Sequence, residues 1–315
     1  MRYRDWLDNW LAGDHSAAYR AHGPQSGPAV TGCATNYKPE EIQIFTASLR
    51  RHHDGPAALI IHDDADVIAH LKALDIDAFI VPRDDAPDIH IVTRRFGYIL
   101  SLLEMQSGWS DVFACDVRDV MFQASPFATP LAAPLETYQE REIGALADHS
   151  ASRKWVRRAF GEAAFKRIAS GEALCAGTIM GERTALAGLI RTMLQLTLIP
   201  RSAVASAFGA DQAAFILAVH DKMVDAAIIP NHQRVSTIGA HLDALVIDDQ
   251  HRLVRPDGFI PPVIHQFDRD ADFTAAVERQ TGLPFITQLA QKQSPFATWF
   301  NRRWQSVKLR LPEWR

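Results

Sequence analysis

The stretch "VFACDVRDVMFQASPF", residues 112–127, decides how this chain is read. Val112 to Cys115 are apolar or small and have the look of a buried strand. The run then drives straight into Asp116, Arg118 and Asp119 before Val120, Met121 and a turn at Pro126. A buried strand ending in carboxylates presents them at its carboxyl end, where open α/β sheets bind ligands. Asp116 and Asp119 are three residues apart, so on a continuing strand they would face opposite sides. Only a turn or bulge after Asp116 brings them together.

Upstream of this stretch the chain alternates strand and helix. "AVTGCAT" (29–35), "AALIIHDD" (57–64) and "DAFIVP" (77–82) read as strands, separated by helices at 38–53, with Ile42, Phe45 and Leu49 on one stripe, and at "ADVIAHLKALD". A helix at about 93–107 leads into the opening strand. This order predicts an α/β fold with a mostly parallel sheet flanked by helices. Before it, residues 1–26 read as a peripheral helix, with Trp6, Leu7, Trp10 and Leu11 on one face, and a linker through "HGPQSGP". The second half is less regular. "EIGALADH" (142–149) and "EALCAGTIMG" (172–181) read as strands, 183–198 as a long amphipathic helix, and 211–220 as a helix capped by Asp211. "AAIIP", "DALVIDD" and "PPVIHQF" follow as strands at hairpin-like spacing.

With 315 residues, 47% hydrophobic and 22% charged, the chain can bury a full core, and wholesale disorder is excluded. A net charge of −4 argues against a nucleic-acid footprint over the whole chain. Cys33, Cys115 and Cys175 are odd in number, widely spaced and set in apolar stretches, which fits buried, reduced thiols. The N-terminus has no signal-peptide core and no run approaches a membrane span, so the expected location is cytoplasmic. The tail, 291–315, carries six Lys/Arg against one Glu, with three Trp. Trp299, Phe300, Trp304, Val307 and Leu311 of that tail would face lipid if it lay on the inner membrane surface; the other reading is a terminal helix packed on the domain.

The acids of the opening stretch allow two readings. They hold a hard cation such as Mg²⁺ or Mn²⁺, which takes oxygen ligands and is completed by substrate phosphates, or they form a salt-bridge cluster with Arg118 at a loop end.

"DVRDVMFQASPF" resembles the D-x-D region of GT-A-type glycosyltransferases, and more closely a group of bacterial and plant glycosyltransferase-like proteins reading D-x-R-D-V-x-F-Q-x-x-P-F. Three further stretches agree in order: "ALCAGTIMG" (173–181), "GADQAAF" (209–215) and "PPVIHQFDR" (261–269). The resemblance covers about residues 29–270. It implies a GT-A-like domain over 27–290, with a nucleotide-binding half at 27–125 and an acceptor half at 126–290. The implied activity is transfer of a sugar, in the manner of a hexosyltransferase, from a UDP- or GDP-sugar to a glycan, lipid-linked or other acceptor.

By match, Asp116 and Asp119 would hold Mn²⁺ or Mg²⁺ bridging the donor phosphates, although one residue is inserted relative to strict D-x-D. Val117 and Arg118 would lie against the donor, Arg118 supplying part of the positive charge. His265 would contact metal or phosphate, or is a structural histidine; Asp268 and Arg269 beside it read as a surface ion pair. Cys175, Ala176, Gly177 and Thr178 form a small-residue strand beside the donor sugar, or serve helix packing. Asp211 and Gln212 fall where an acceptor-binding acid or general base is kept, which makes Asp211 and Asp119 the expected catalytic acids. For Asp211 the other reading is the helix cap. Thr31, Gly32 and Ala34 would approach the base or ribose, with Asp63 or Asp64 beside them, unless these are only polar strand ends. Arg94, Arg95 and Tyr98 open the helix before the acids, and one of them would reach a phosphate or else lie on a solvated face. Thr237 and Gly239 are minor candidates. Two rivals share the acidic strand end. A nucleotidyltransferase would want a Gly-rich, Lys-containing loop that "TGCATNYKPEE" (31–41) lacks. A non-catalytic nucleotide-sugar or glycan-binding protein would keep the fold.

Overall fold

The computed structural model describes residues 3–83, 89–140, 144–198, 207–238 and 244–287. The chain opens with α1 (Tyr3–Ala12) and an edge strand β1 (Tyr19–Arg20). It then alternates β2 (Gly27–Cys33), α2 (Pro39–His52), β3 (Ala57–Ile61), α3 (Ala65–Ala73), β4 (Asp77–Ile80), α4 (Ile91–Met105) and β5 (Trp109–Cys115). There follow β6 (Val120–Phe122), β7 (Leu135–Gln139), α5 (Ser150–Ile168), β8 (Leu174–Glu182), α6 (Arg183–Thr197), α7 (Ala210–His220) and β9 (Ala227–Ile229). The last elements are β10 (Val235–Thr237), β11 (Val246–Ile247), β12 (Leu253–Val254), β13 (Val263–His265) and α8 (Ala271–Thr281).

Eight strands form one mixed sheet in the order β1-β4-β3-β2-β5-β8-β7-β9. Strands β4, β3, β2 and β5 are mutually parallel, and β8 runs against β5. From β2 the chain steps outward through β3 and β4, then returns to place β5 on the other side of β2. The strand order therefore reverses between β2 and β5, and the crevice at such a reversal is where doubly wound sheets bind ligands. Both faces of the sheet are covered. Every residue of β3 is buried, as parallel strands with helices on both sides require. Its alternate side chains enter different cores: Ala58 and Ile60 pack with α4 and α6, while Leu59 and Ile61 pack with Ile42, Phe45 and Leu49 of α2.

A second sheet, β10-β13-β6, is small and positions the site. β6 runs antiparallel to β13 with Val120 opposite His265, and β10 runs parallel to it with Thr237 opposite His265. Since Asp119 precedes Val120, this register sets Asp119 beside His265. The sheet rests on α8 through Met121, Ile264, Phe267 and Phe273.

The N-terminal segment is docked on the fold. Trp6 and Trp10 lie 5.9 and 4.7 Å from the Tyr98 ring, and Trp10 Nε1 donates to Gly97 O at 3.2 Å. A Cβ on Gly97 would sit 2.8 Å from Trp6, so glycine there admits the helix. Leu11, expected on the buried face, lies in the last turn of α1 and is 41% exposed. The expected linker is pinned by the fully buried Asp77. Its Oδ1 accepts from the His22 and Gly23 amides at 2.5 and 2.8 Å, and its Oδ2 from Gln25 Nε2 at 2.8 Å and from the Tyr19 hydroxyl.

Several expectations need correction. Residues 144–149 form no strand: Leu146–Asp148 is a 3-10 turn, because Asp148 accepts from the Ala145 amide at 3.0 Å and Gly144 takes φ +97°. The strand of that region is β7, upstream. Of the three late strands, only Val246–Ile247 lies in a hairpin, with β12, where Asp248 Oδ1 caps the turn by accepting from the Gln250 and Arg252 amides. β9 joins the large sheet parallel to β7, and β13 pairs across the small sheet. Helices α5 and α8 carry no counterpart in the sequence reading. α5 is interrupted at Gly161, with φ +86°. The basic tail and Gly239 lie outside the described residues. Among the described residues, no helix is long and apolar enough to cross a membrane.

Candidate functional site

The carboxyl ends of β2 and β5 and the amino ends of β8, α4 and α7 enclose a cavity of about 720 Å³. After Cys115 the backbone leaves the sheet and turns through residues 116–119 before β6. That turn is what the three-residue spacing demanded. Two backbone bonds hold it: the Asp116 amide donates to Gly177 O, and the Gln266 amide donates to Asp119 O, each at 2.7 Å. As a result Asp116, Asp119 and His265 each offer one ligand atom, and these atoms all lie within 4.8 Å of one another.

His265 is fully buried, and its ring is fixed from behind. Nδ1 faces Thr237 Oγ1 at 3.4 Å and Cys175 Sγ at 3.8 Å. Nε2 is thereby turned to Asp116 Oδ2 at 3.6 Å, beyond hydrogen-bond reach, and has no partner. Two ligands sharing one divalent cation at bonds of about 2.0–2.2 Å lie about 3–3.6 Å apart, so this orphaned nitrogen and its carboxylate have the separation a cation would bridge. Space is kept for it by Gly177, where a Cβ would stand 2.6 Å from Asp116 Oδ2 and 2.7 Å from His265 Cε1. An imidazole with two carboxylates suits Mn²⁺ well and Mg²⁺ less well, and the residues present fit such an ion.

The cavity lining holds five acids, Glu41, Asp116, Asp119, Glu140 and Asp211, against three arginines, Arg95, Arg118 and Arg269. This excess of negative charge is what a divalent cation would offset. Arg95 forks across two of the acids: Nη1 pairs with Asp116 Oδ1, and Nη2 with Asp211 Oδ2 at 3.0 Å. Burial pushes the Asp116 carboxyl up, but Arg95 and His265 together outweigh it and hold Asp116 well below the ordinary carboxylate range. For Asp119 and Asp211 burial wins, and both carboxyls are raised. Burial works against the imidazolium of His265, yet Cys175, Asp116 and Asp119 lift its pKa well above the usual value.

The expected site residues divide clearly. Asp116, Val117, Arg118, Asp119, Cys175, Gly177, Asp211 and Gln212 line the cavity, and the Ala176 carbonyl lies 3.5 Å from Arg95 Nη2. Of the three candidates opening α4, Arg95 alone lines it. Tyr98 is a fully buried core residue, and Arg94 donates to its hydroxyl at 3.4 Å. At the end of β2 the lining is supplied by Cys33, Thr35 and Tyr37, in place of Thr31, Gly32 and Ala34. Gly32 instead lets β5 close in, since a Cβ there would meet Cys115 O at 2.6 Å. Asp63 is exposed outside the lining. Asp64 caps α3 through the Asp66 and Val67 amides and pairs with Lys38 at 2.9 Å.

Asp211 is not the helix cap. Gly209 occupies that position, and Asp211 faces inward to Arg95. A carboxylate so engaged is poorly placed to take a proton from an acceptor. Asp268 pairs with Arg269 at 3.9 Å, as expected, and also with Arg118 at 2.7 Å, a contact that ties Arg118 near Asp119, at 3.9 Å. Glu140, Trp155 and Phe208 escaped the sequence reading and complete the lining. Glu140 follows β7, and Trp155 rides on α5, so both belong to elements whose pattern was not read. No protein-family model matches the chain, and no curated protein matches it.

Proposed function

We propose that this chain is a glycosyltransferase that moves a sugar from a nucleotide-sugar donor, with Asp116, Asp119 and His265 holding Mn²⁺ or Mg²⁺ in a GT-A-like fold. The observation that carries this reading is the meeting of these three side chains beside a 720 Å³ cavity at the point where the strand order reverses. A divalent cation bound there supplies positive charge against the two phosphates of a departing nucleoside diphosphate. The chain's own groups orient the donor. Arg118 and Arg269 offer guanidinium donors to phosphate oxygens, and Arg95 holds Asp116 ionised, hence able to bind a cation. Thr35 and Tyr37 line the cavity just past the end of β2 and would meet the nucleoside.

Thermal unfolding with UDP- and GDP-sugars, with and without Mn²⁺, tests this reading. A ligand at 100 times its Kd stabilises by about 2.7 kcal/mol, which raises the midpoint by several degrees. We expect such a shift with at least one nucleotide sugar, larger with Mn²⁺ than without, and loss of the Mn²⁺-dependent part in Asp119→Ala. Absence of any shift with every nucleotide sugar at millimolar concentration sinks the proposal.

A further inference from the structure

The wall of the cavity made by α5 and α7 has no part in holding a cation, yet it is built with care. Trp155 and Phe208 meet edge to face, ring centroids 5.6 Å apart and planes at 72°; Phe208 also meets His90 edge-on, at 5.6 Å. Despite these contacts Phe208 is 61% exposed. The residue after it, Gly209, has φ +83°, and a Cβ there would stand 2.3 Å from the Trp155 ring. Only glycine allows the chain to turn there and the indole to lie against it.

Beside the rings, Gln212 Nε2 donates to Glu140 Oε2 at 2.8 Å and to Ser152 Oγ at 3.0 Å. His149 Nδ1 bonds Ser152 Oγ at 2.8 Å, which braces the group. Glu140 Oε1 and Gln212 Oε1 have no partner among the described residues, and both side chains line the cavity. The wall thus offers two aromatic rings set across one another, Phe208 largely exposed, and two hydrogen-bond acceptors beside them.

We propose that this wall is an acceptor subsite for a pyranose: Trp155 and Phe208 take the C–H faces of a sugar ring, while Glu140 and Gln212 accept from its hydroxyls. The proposal rests on the glycosyl-transfer reading and gives it an acceptor class, a carbohydrate rather than a lipid or peptide. A lipid chain would leave Glu140 Oε1 unsolvated and without a donor. A sugar ring has apolar C–H faces that lie on the electron-rich face of an aromatic ring, and equatorial hydroxyls that donate at its rim.

Saturation-transfer NMR with methyl pyranosides of glucose, galactose, mannose and N-acetylglucosamine, at millimolar concentration, reads the subsite without a donor. At least one should bind the wild-type chain, and about tenfold more weakly to Phe208→Ala and to Glu140→Gln. Phe208 is largely exposed, so its variant does not depend on a repacked core. No binding of any pyranoside, equal binding by wild type and both variants, or displacement of the pyranoside by metal-free UDP would each overturn the subsite. The thermal-shift experiment with nucleotides is separate. If nucleotides bind and pyranosides do not, the subsite falls and the transferase reading stands. If pyranosides bind as described and no nucleotide does, the subsite stands and the transferase reading falls.

Discussion

Replacing Arg234 with methionine will lower the stability of the chain by about 3–5 kcal/mol, the usual cost of breaking a buried ion pair by removing one partner. Arg234 is 8% exposed and Glu136 1%. The guanidinium gives Nε to Glu136 Oε2 at 2.7 Å and Nη2 to Glu136 Oε1 at 3.3 Å. It also donates to the carbonyls of Pro126, Thr129 and Pro130, the last two at 2.9 Å. Without it three carbonyls lose their donor. Glu136 keeps only the Tyr138 hydroxyl at 3.0 Å and the Ala132 amide at 2.8 Å. The effect reaches the site because Arg234 precedes β10 and Glu136 lies in β7, so this one side chain ties the small sheet carrying His265 to the large one. Calorimetry of Arg234→Met should show a midpoint lower by roughly 10 °C. Lysine will not rescue it, since a point charge cannot reproduce the fork. A loss under about 1 kcal/mol would refute this account of the joint.

Arg95→Ala carries the second-largest expected effect. It leaves Asp211, with a side chain 7% exposed, and Asp116, at 30%, without their shared cation. Because Asp116 is partly solvated, the expected cost is about 2–4 kcal/mol, below that of a fully dry pair. The variant separates structure from binding: Asp116 remains beside His265, which also favours its ionised form, and loses only the guanidinium. Mn²⁺ added to Arg95→Ala should restore more stability than it adds to the wild type, because the ion takes over part of the charge balance. Equal increments in the two proteins would count against the shared role of Arg95 and the cation.

The first half of the fold was open to sequence reading because each strand there is a short apolar run closed by polar residues, and each helix carries a clear stripe. The turn at 116–119 was demanded by the spacing of Asp116 and Asp119 alone. β7, "LETYQ", was missed because its polar residues are buried as well: Glu136 is satisfied by Arg234, some hundred residues away, a pairing local pattern cannot reveal. α5 was missed because charge surrounds it and Gly161 interrupts it. Asp116, Asp119 and His265, which the fold brings together, stood out in the sequence because they follow or end apolar runs and lie in the stretches that carry the resemblance. Tyr98 was misassigned because a helical position says nothing of which neighbour covers it, and here two tryptophans of α1 do. Glu140 lies at the end of an unread strand and so had no context.

In the proposed function Asp116, Asp119 and His265 form one divalent-cation site that joins a nucleoside diphosphate to the chain. Titration of Mn²⁺ into the protein with UDP or GDP present, followed by loss of the free-ion paramagnetic resonance signal, measures it directly. One nucleotide-dependent Mn²⁺ per chain is expected, weakened about tenfold or more in each of Asp116→Asn, Asp119→Asn and His265→Ala. Mn²⁺ binding that is the same in the wild type and all three variants, or no binding with either nucleotide, would contradict it.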